Sequence, residues 1–168
     1  YTTVDPNDAS RLITVDGSKT TGLEVSLTGE LTDRWSINTG YSYMDGKVSD
    51  VDFAAGQIVA GNLDGNKPRQ TPEHMFSVWN NYQVNDSFGL GFGATYQDSY
   101  FVNEDNSVEV PSYIRFDLAG FYDVSENLRL QVNIENLLDE NYFPDAHSNT
   151  NISTGKPLNA RFTVSRTF

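Results

Sequence analysis

The sequence predicts an all-β protein, an antiparallel up-and-down transmembrane β-barrel segment of about seven strands. Three observations carry this. Apolar side chains recur at every second residue in seven separate stretches of the 168-residue chain, the period of a half-buried strand. The alternating stretches at 20–32, 34–44, 88–101 and 112–124 are long beside globular strands of about 5–6 residues and suit tilted membrane spans of roughly 9–11. Short and long connections alternate between them, as periplasmic turns and extracellular loops do.

The strands follow in order. Leu23, Val25, Leu27 and Leu31 oppose Glu24, Ser26, Thr28 and Glu30. After the turn Thr32–Arg34 the pattern restarts, with Trp35, Ile37, Thr39, Tyr41 and Tyr43 against Ser36, Asn38, Gly40 and Ser42. A strand over 74–84 carries Trp79 and Tyr82 near opposite faces, with a less regular alternation. Phe88, Leu90, Phe92, Ala94 and Tyr96 alternate with Gly89, Gly91, Gly93, Thr95 and Gln97. Ile114, Phe116, Leu118 and Tyr122 face away from Arg115, Asp117, Ala119 and Asp123, and Leu128, Leu130, Val132 and Ile134 away from Arg129, Gln131, Asn133 and Glu135. The last strand runs through Phe162, Val164 and Phe168. The first is expected to descend from about Leu12 to Thr32, leaving 1–11 in an extracellular loop.

The short connections are Thr32–Arg34, Val84–Ser87 and Asp123–Asn127; the long ones are Met44–Glu73, Asp98–Pro111 and Asn141–Leu158, rich in Asn, Asp and Gly. Trp35, Tyr41, Tyr43, Tyr82, Phe88, Tyr96, Tyr113 and Phe168 lie near the ends of the apolar stripes, where aromatic girdles meet the membrane interface. Seven strands cannot close, because a bacterial barrel takes an even number and leaves no edge. A turn at Asp16-Gly17 would make an eighth, but the row Gly89, Gly91 and Gly93 would fill a narrow barrel poorly.

Composition narrows the function classes. The chain is 38% hydrophobic, ordinary for a soluble protein, but in a barrel wall only alternate positions are apolar and the average hides the membrane face. No run approaches the roughly 18 to 20 apolar residues of a membrane helix. The opening residues carry no signal-peptide pattern and read as a cut through a longer protein. A net charge of −12 disfavours nucleic acid, whose binding requires neutralised phosphates. Without cysteine there is no disulfide frame, thiol nucleophile or thiolate metal site.

Several segments, in order, carry a family resemblance. They are Gly22 through Gly29, Trp35 through Gly46, Pro72-Glu73-His74 leading to Val78-Trp79-Asn80-Asn81-Tyr82, Asn133 through Tyr142 with its Asn136-Leu137-Leu138-Asp139 core, Asn149 through Pro157, and a terminal Phe168. Together they resemble the closing strands of TonB-dependent outer-membrane siderophore receptors of the catecholate type. The resemblance spans nearly the whole chain, so residues 1–168 are expected to be the C-terminal part of such a barrel in the bacterial outer membrane. It implies a closed barrel of about 22 strands plugged by an N-terminal domain. The implied partners are a ferric siderophore, a TonB-type energy-coupling complex acting through the plug, outer-membrane lipid and the barrel-assembly machinery. Two positions depart from the family's pattern. Leu158 follows Pro157 where Arg is usual, and Arg166 stands where an aromatic usually precedes the terminal Phe. An Arg on the lipid face costs about 2–4 kcal/mol at midplane and roughly 0–1 near the interface, so Arg166 is tolerable near a strand end.

No catalytic, cofactor or metal site is expected. His147, Ser148 and Asp145 sit together on a polar loop without the rigid frame a Ser/His/Asp hydrolase needs. Asp45, Asp50, Asp52 and Asp64, and then Glu104, Asp105 and Glu109, lack EF-hand spacing and read as solvated acidic loops. The candidate ligand contacts are Tyr100, Phe101, Asn103, Tyr142, Phe143, His147, Asn149 and Asn151, aromatic and polar residues of two extracellular loops. Two other readings remain open: a small closed barrel or porin without a specific ligand, and a soluble carbohydrate-binding β-sandwich. Alternation alone does not separate them from a receptor wall.

Overall fold

A computed structural model describes residues 2–5, 8–14, 17–48, 63 and 65–168, with the backbone alone up to residue 14. Among the described residues thirteen strands form in chain order. They are β1 (Thr2–Asp5), β2 (Asp8–Thr14), β3 (Ser18–Thr32), β4 (Trp35–Val48), β5 (His74–Gln83), β6 (Phe88–Gln97), β7 (Tyr100–Phe101), β8 (Glu109–Val110), β9 (Tyr113–Ser125), β10 (Leu128–Glu135), β11 (Asp145–Ser148), β12 (Asn151–Ser153) and β13 (Asn159–Arg166). Seven of them, in the order β13-β10-β9-β6-β5-β4-β3, make one antiparallel up-and-down sheet. Its seven spans are those the alternation predicts, with shifted ends.

Two boundaries are corrected. The first span begins at Ser18 rather than near Leu12, because Leu12 lies in β2, which pairs with β1 through Thr2↔Thr14 and Val4↔Leu12. The stretch 88–101 is two strands: β6 ends at Gln97, and Tyr100–Phe101 turns away to pair with Glu109–Val110. The bend is fixed when the Asp98 carboxylate accepts from the Ser99 amide at 2.9 Å. Asp16 lies outside the described residues, as do Asp50, Asp52 and Asp64.

The cross-strand register assigns the faces. Leu27↔Thr39, Thr39↔Val78, Val78↔Ala94, Ala94↔Phe116 place one row on the apolar side, and Leu118↔Ile134, Ile134↔Ala160 continue it. No described residue packs over this face. Leu23 is 58% exposed and Phe162 80%, so the whole apolar face of the sheet is open. Such a patch is far beyond what a soluble monomer carries; a bilayer covers it. Polar groups on this face are satisfied within it. The Trp35 indole donates to the Asn80 amide oxygen at 3.1 Å, and the Thr39 hydroxyl donates to the Ser77 carbonyl at 2.9 Å, as a low-dielectric surround demands.

Aromatics band this face at both ends. Tyr41, Tyr43 and Tyr96 lie toward the long loops, and Trp35, Tyr82, Phe88 and Tyr122 toward the short turns. Tyr113 is a correction. It pairs with Gln97 on the opposite, polar face and packs at a tilt against Tyr142 with ring centroids 4.8 Å apart. Arg166 pairs with Leu128 on the apolar face at the short-turn end, its guanidinium 5.0 Å from the Phe168 ring centre, a contact that helps hold a charge at the interface.

The polar face explains the glycine row. Trp79 pairs with Gly93 and points inward. Its indole lies over Gly91 and Gly93, where a Cβ would come within 2.6 and 2.5 Å of the ring. The ring's N–H donates to Asn81 at 2.9 Å. The glycines therefore make room for one large side chain.

Candidate ligand-facing cap

The most enclosed part of the described structure lies in the loops. Tyr100, Val102, Val110 and Ala146 are buried together, and Val108, Phe143 and Ile152 pack against them. Two ribbons build this cluster: β7 with β8 in the connection 98–112, and β11 with β12 in the connection 136–158. A short ribbon buries too little to be stable alone; here each supplies the other's covering.

Polar contacts extend the lock to three chain segments. The Asn103 side-chain amide donates to the Asn149 amide oxygen at 2.8 Å, and the Asn149 amide donates to the Ser107 hydroxyl at 3.0 Å. The segment 66–70 joins them. Asn66 donates to the Glu104 carbonyl at 2.8 Å, the Lys67 amide donates to the Asn106 side chain at 2.9 Å, and Asn106 donates back to the Lys67 carbonyl at 2.9 Å. The Gln70 amide donates to the Phe101 carbonyl at 2.8 Å and its side chain donates to the Ala146 carbonyl. The Ser107 amide, and after it the Ser107 hydroxyl, hold the Asp105 carboxyl below its ordinary value of 3.8. Burial, and then the charge of Asp145, raise the Tyr100 phenol above its ordinary 10.0.

The cap is anchored to the wall by Asn136 and Asp139. Asn136 is 1% exposed and has φ +55°, with Asp139 at +52°, a left-handed conformation that Asn and Asp tolerate better than other side chains. The Asn136 amide donates to the Glu140 carbonyl at 2.9 Å and the Lys156 carbonyl at 3.0 Å, and its oxygen accepts from the Glu140 amide at 2.9 Å. Its own backbone amide donates to Asp117 of β9 at 2.9 Å. Asp139 accepts from the Leu158 amide at 2.8 Å. The Asn-Leu-Leu-Asp motif is thus a clasp closing both ends of the last loop. Beside it Tyr142 lies flat on Gly155, where any Cβ would enter the ring.

Where the cap meets the wall, Arg115 of β9, Arg161 of β13 and the loop residue Lys156 make a cationic group. Arg115 donates to Asp117 at 2.9 Å and to the Tyr142 hydroxyl at 3.1 Å. Lys156 and Arg161 both approach Glu135, at 3.7 and 3.9 Å, and stay largely exposed. Lys156 and Arg161 thus share the one Glu135 carboxylate. Mostly exposed pairs of this length contribute little to stability, which leaves Lys156 and Arg161 free to change partner.

The sequence-predicted contacts divide by position. Tyr100 and Tyr142 are buried, 4% and 7% exposed, in the packing just described. Phe101, Asn103, Phe143 and Asn149 are half-buried between the ribbons, and His147 and Asn151 are exposed on the cap. Asp145 and His147 are both exposed, and the Ser148 hydroxyl lies 3.4 Å from that of Thr150. Among the described residues no three His, Cys, Asp or Glu side chains are arranged to hold a metal ion. Glu104 approaches Arg69 at 3.6 Å and Glu109 accepts from Ser99 at 2.7 Å. Sequence reasoning missed Arg115, Lys156 and Arg161 as a group. The alternation that puts Arg115 and Arg161 on the polar face was the available signal.

Comparison with known proteins agrees with this architecture. The family described as "TonB dependent receptor-like, beta-barrel" matches residues 1–137. The probable TonB-dependent siderophore receptor PiuA of Acinetobacter baumannii is 34% identical over 144 residues, 84% of this chain and 19% of that protein. Its crystal structure superposes with a TM-score of 0.87 over 97% of this chain and 23% of that one, at 31% identity. The ferric-catecholate import receptor Fiu of E. coli, in its closed form, gives 0.77 over 90% and 21%, at 28% identity. The chain spans about a fifth of the length of the relatives it matches. An open seven-stranded outer-membrane wall, a cap of interlocked loops and a profile match over most of the sequence all give one answer: the chain belongs to the TonB-dependent receptor β-barrel family.

Proposed function

We propose that this chain supplies barrel wall and extracellular cap to an outer-membrane receptor that takes up ferric siderophores. The observation that carries the reading is the cap itself: segments 66–70, 98–112 and 136–158 interlock above the polar face, with Lys156 exposed at the end of the last segment and Arg161 exposed on β13. A deprotonated catecholate complex is anionic, and two exposed cations beside Asn, His and aromatic side chains suit it. Relatives named as siderophore and ferric-catecholate receptors support the same reading. Within it, Phe101, Asn103, Phe143, His147, Asn149 and Asn151 are ligand contacts, while Tyr100 and Tyr142 act through packing. Energy from a TonB-type complex, transmitted through a plug, and insertion by the barrel-assembly machinery belong to the same proposal.

The test is binding of ferric catecholate and ferric hydroxamate complexes to the full-length receptor in lipid nanodiscs, read by fluorescence quenching. Ferric catecholate should bind, and Lys156→Gln with Arg161→Gln should weaken it by roughly tenfold or more, as loss of charge-assisted contacts does. A folded receptor that binds no ferric complex sinks the proposal; preference for hydroxamate overturns the catecholate assignment.

A further inference from the structure

The inward face of the wall holds its cations in two ways. Arg129 grips both oxygens of Asp123, at 2.6 and 2.8 Å, and Arg115 donates twice to Asp117, at 3.2 and 2.9 Å. These are close, charge-assisted bonds, and Asp117 is engaged further by the Asn136 amide at 2.9 Å. The third group differs. Glu135 stands between Lys156 and Arg161, at 3.7 and 3.9 Å, with the Asn159 side-chain amide at 3.5 Å. Both cation distances exceed hydrogen-bonding range, and the cationic side chains stay 77% and 70% exposed. One carboxylate holds two cations loosely, where the other two hold one each tightly.

The backbone sets the loose group at the mouth. Glu135 ends β10 and lies opposite Asn159, while Arg161 lies opposite Asn133. Arg161 is therefore the diagonal neighbour of Glu135 on the inward face, about 7–8 Å away at the backbone and within reach of a long side chain. Lys156 comes from the loop that enters β13, and the Asn136 clasp holds its carbonyl at 3.0 Å. Its backbone is fixed while its ammonium stays in solvent. Among the described residues no carboxylate other than Glu135 lies within ion-pair distance of either cation. Pairs this long and exposed contribute little to folding. What Glu135 changes is charge: it cancels one of two positive charges, and an anion that engages the pair must draw both cations away from it.

We propose that Glu135 is a specificity-determining residue, an internal counter-anion that competes with an anionic ferric complex for Lys156 and Arg161. The inference rests on the reading of these two cations as contacts of an anionic siderophore. A ferric tris-catecholate is a trianion and a ferric bis-catecholate a monoanion. Repulsion by Glu135 grows with the charge of the ligand, so the carboxylate takes most from the complex that the cations favour most. It keeps both cations turned to the wall in the empty receptor and recovers them when the complex leaves.

The experiment measures binding of the two catecholate complexes to the full-length receptor in nanodiscs by fluorescence quenching. Removing one charge about 7 Å from the ligand should change affinity by about twofold per unit of ligand charge at physiological salt. Glu135→Gln should therefore tighten the trianion by roughly eightfold and the monoanion by about twofold. Glu135→Asp should leave both near native, and the gain should shrink in molar salt. In a receptor that also carries Lys156→Gln and Arg161→Gln, Glu135→Gln should tighten the trianion by under about threefold, because no cations remain to be released. No gain in Glu135→Gln, an equal gain for both complexes or the same gain in Glu135→Asp overturns the proposal. A full gain without the cations would make Glu135 a distant charge and reject the competition. The cation variant separates the two readings. Native binding of catecholate by Lys156→Gln with Arg161→Gln means that the cationic reading of the site has failed, and this inference falls with it. Weakened binding there, with no change in Glu135→Gln, rejects Glu135 alone.

Discussion

Asn136 offers the sharpest test of how the cap is held. Its side chain makes three hydrogen bonds to backbone groups of Glu140 and Lys156 in a buried setting. At about 1 kcal/mol net for each, Asn136→Gly should destabilise the clasp by about 3 kcal/mol while keeping its left-handed backbone available. Asn136→Ala should lose about 1 kcal/mol more, the strain of a Cβ at φ +55°. The damage is local, because the clasp closes one loop and leaves the strand ladders intact. Its reporter is the Gly155 amide, which donates to the Tyr142 carbonyl at 2.7 Å. Hydrogen exchange on the full-length receptor in lipid should show Gly155 protection falling by roughly a hundredfold in Asn136→Gly. Exchange in β9 and β10 should hold. Protection within about threefold of native in the Gly variant would refute the hydrogen-bond account. Equal losses for Gly and Ala would refute the backbone account.

Gly93→Ala should cost about 1–3 kcal/mol through overpacking against the Trp79 ring, and Trp79→Ala should largely remove that penalty; a double-mutant cycle of urea midpoints in lipid reads the coupling, and additive effects would deny the contact. The depressed Asp105 pKa makes its bonds to Ser107 and Asn149 a contribution present above the ordinary value of 3.8 and lost as pH falls below it. Exchange protection of the Ser107 amide should therefore hold down to about pH 4 and fall with further acidification; loss at pH 6 would contradict it. Arg69→Ala should change cap stability by under about 1 kcal/mol, since Arg69 is itself largely exposed and meets the half-buried Glu104 only at 3.6 Å, as limited proteolysis of the loops can check.

The seven spans are legible because lipid on one side and polar lumen on the other impose strict alternation on every strand. The least regular stretch, 74–84, is irregular for a reason now visible: Trp79 points inward onto Gly91 and Gly93, and Asn80 points outward to Trp35, so each residue sits on the face its polarity argues against. Tyr113 could have been placed from sequence, since it shares its parity with Arg115 and Asp117; its position at a strand end suggested a girdle instead. Tyr100 and Phe101 continue the alternation of β6, and only the Asp98–Ser99 bend separates them. The packing of one loop against another has no period, so the buried cluster of Tyr100, Val102, Val110 and Ala146 left no trace that a single sequence could reveal.

The interlocking of three loops also bears on how this surface can vary and be recognised. Among the described residues, the surface that an antibody or a phage tail fibre would meet is a mosaic of 66–70, 101–107 and 146–151, stitched together by side chains such as Asn106, Asn149 and Gln70. No single segment owns that surface, so a linear peptide from any one of them presents a shape the folded receptor does not. Escape by drift is constrained in the same way. A substitution in one loop that breaks a stitch should loosen the other two, so a change that keeps the surface intact needs a matching change in a segment distant in sequence.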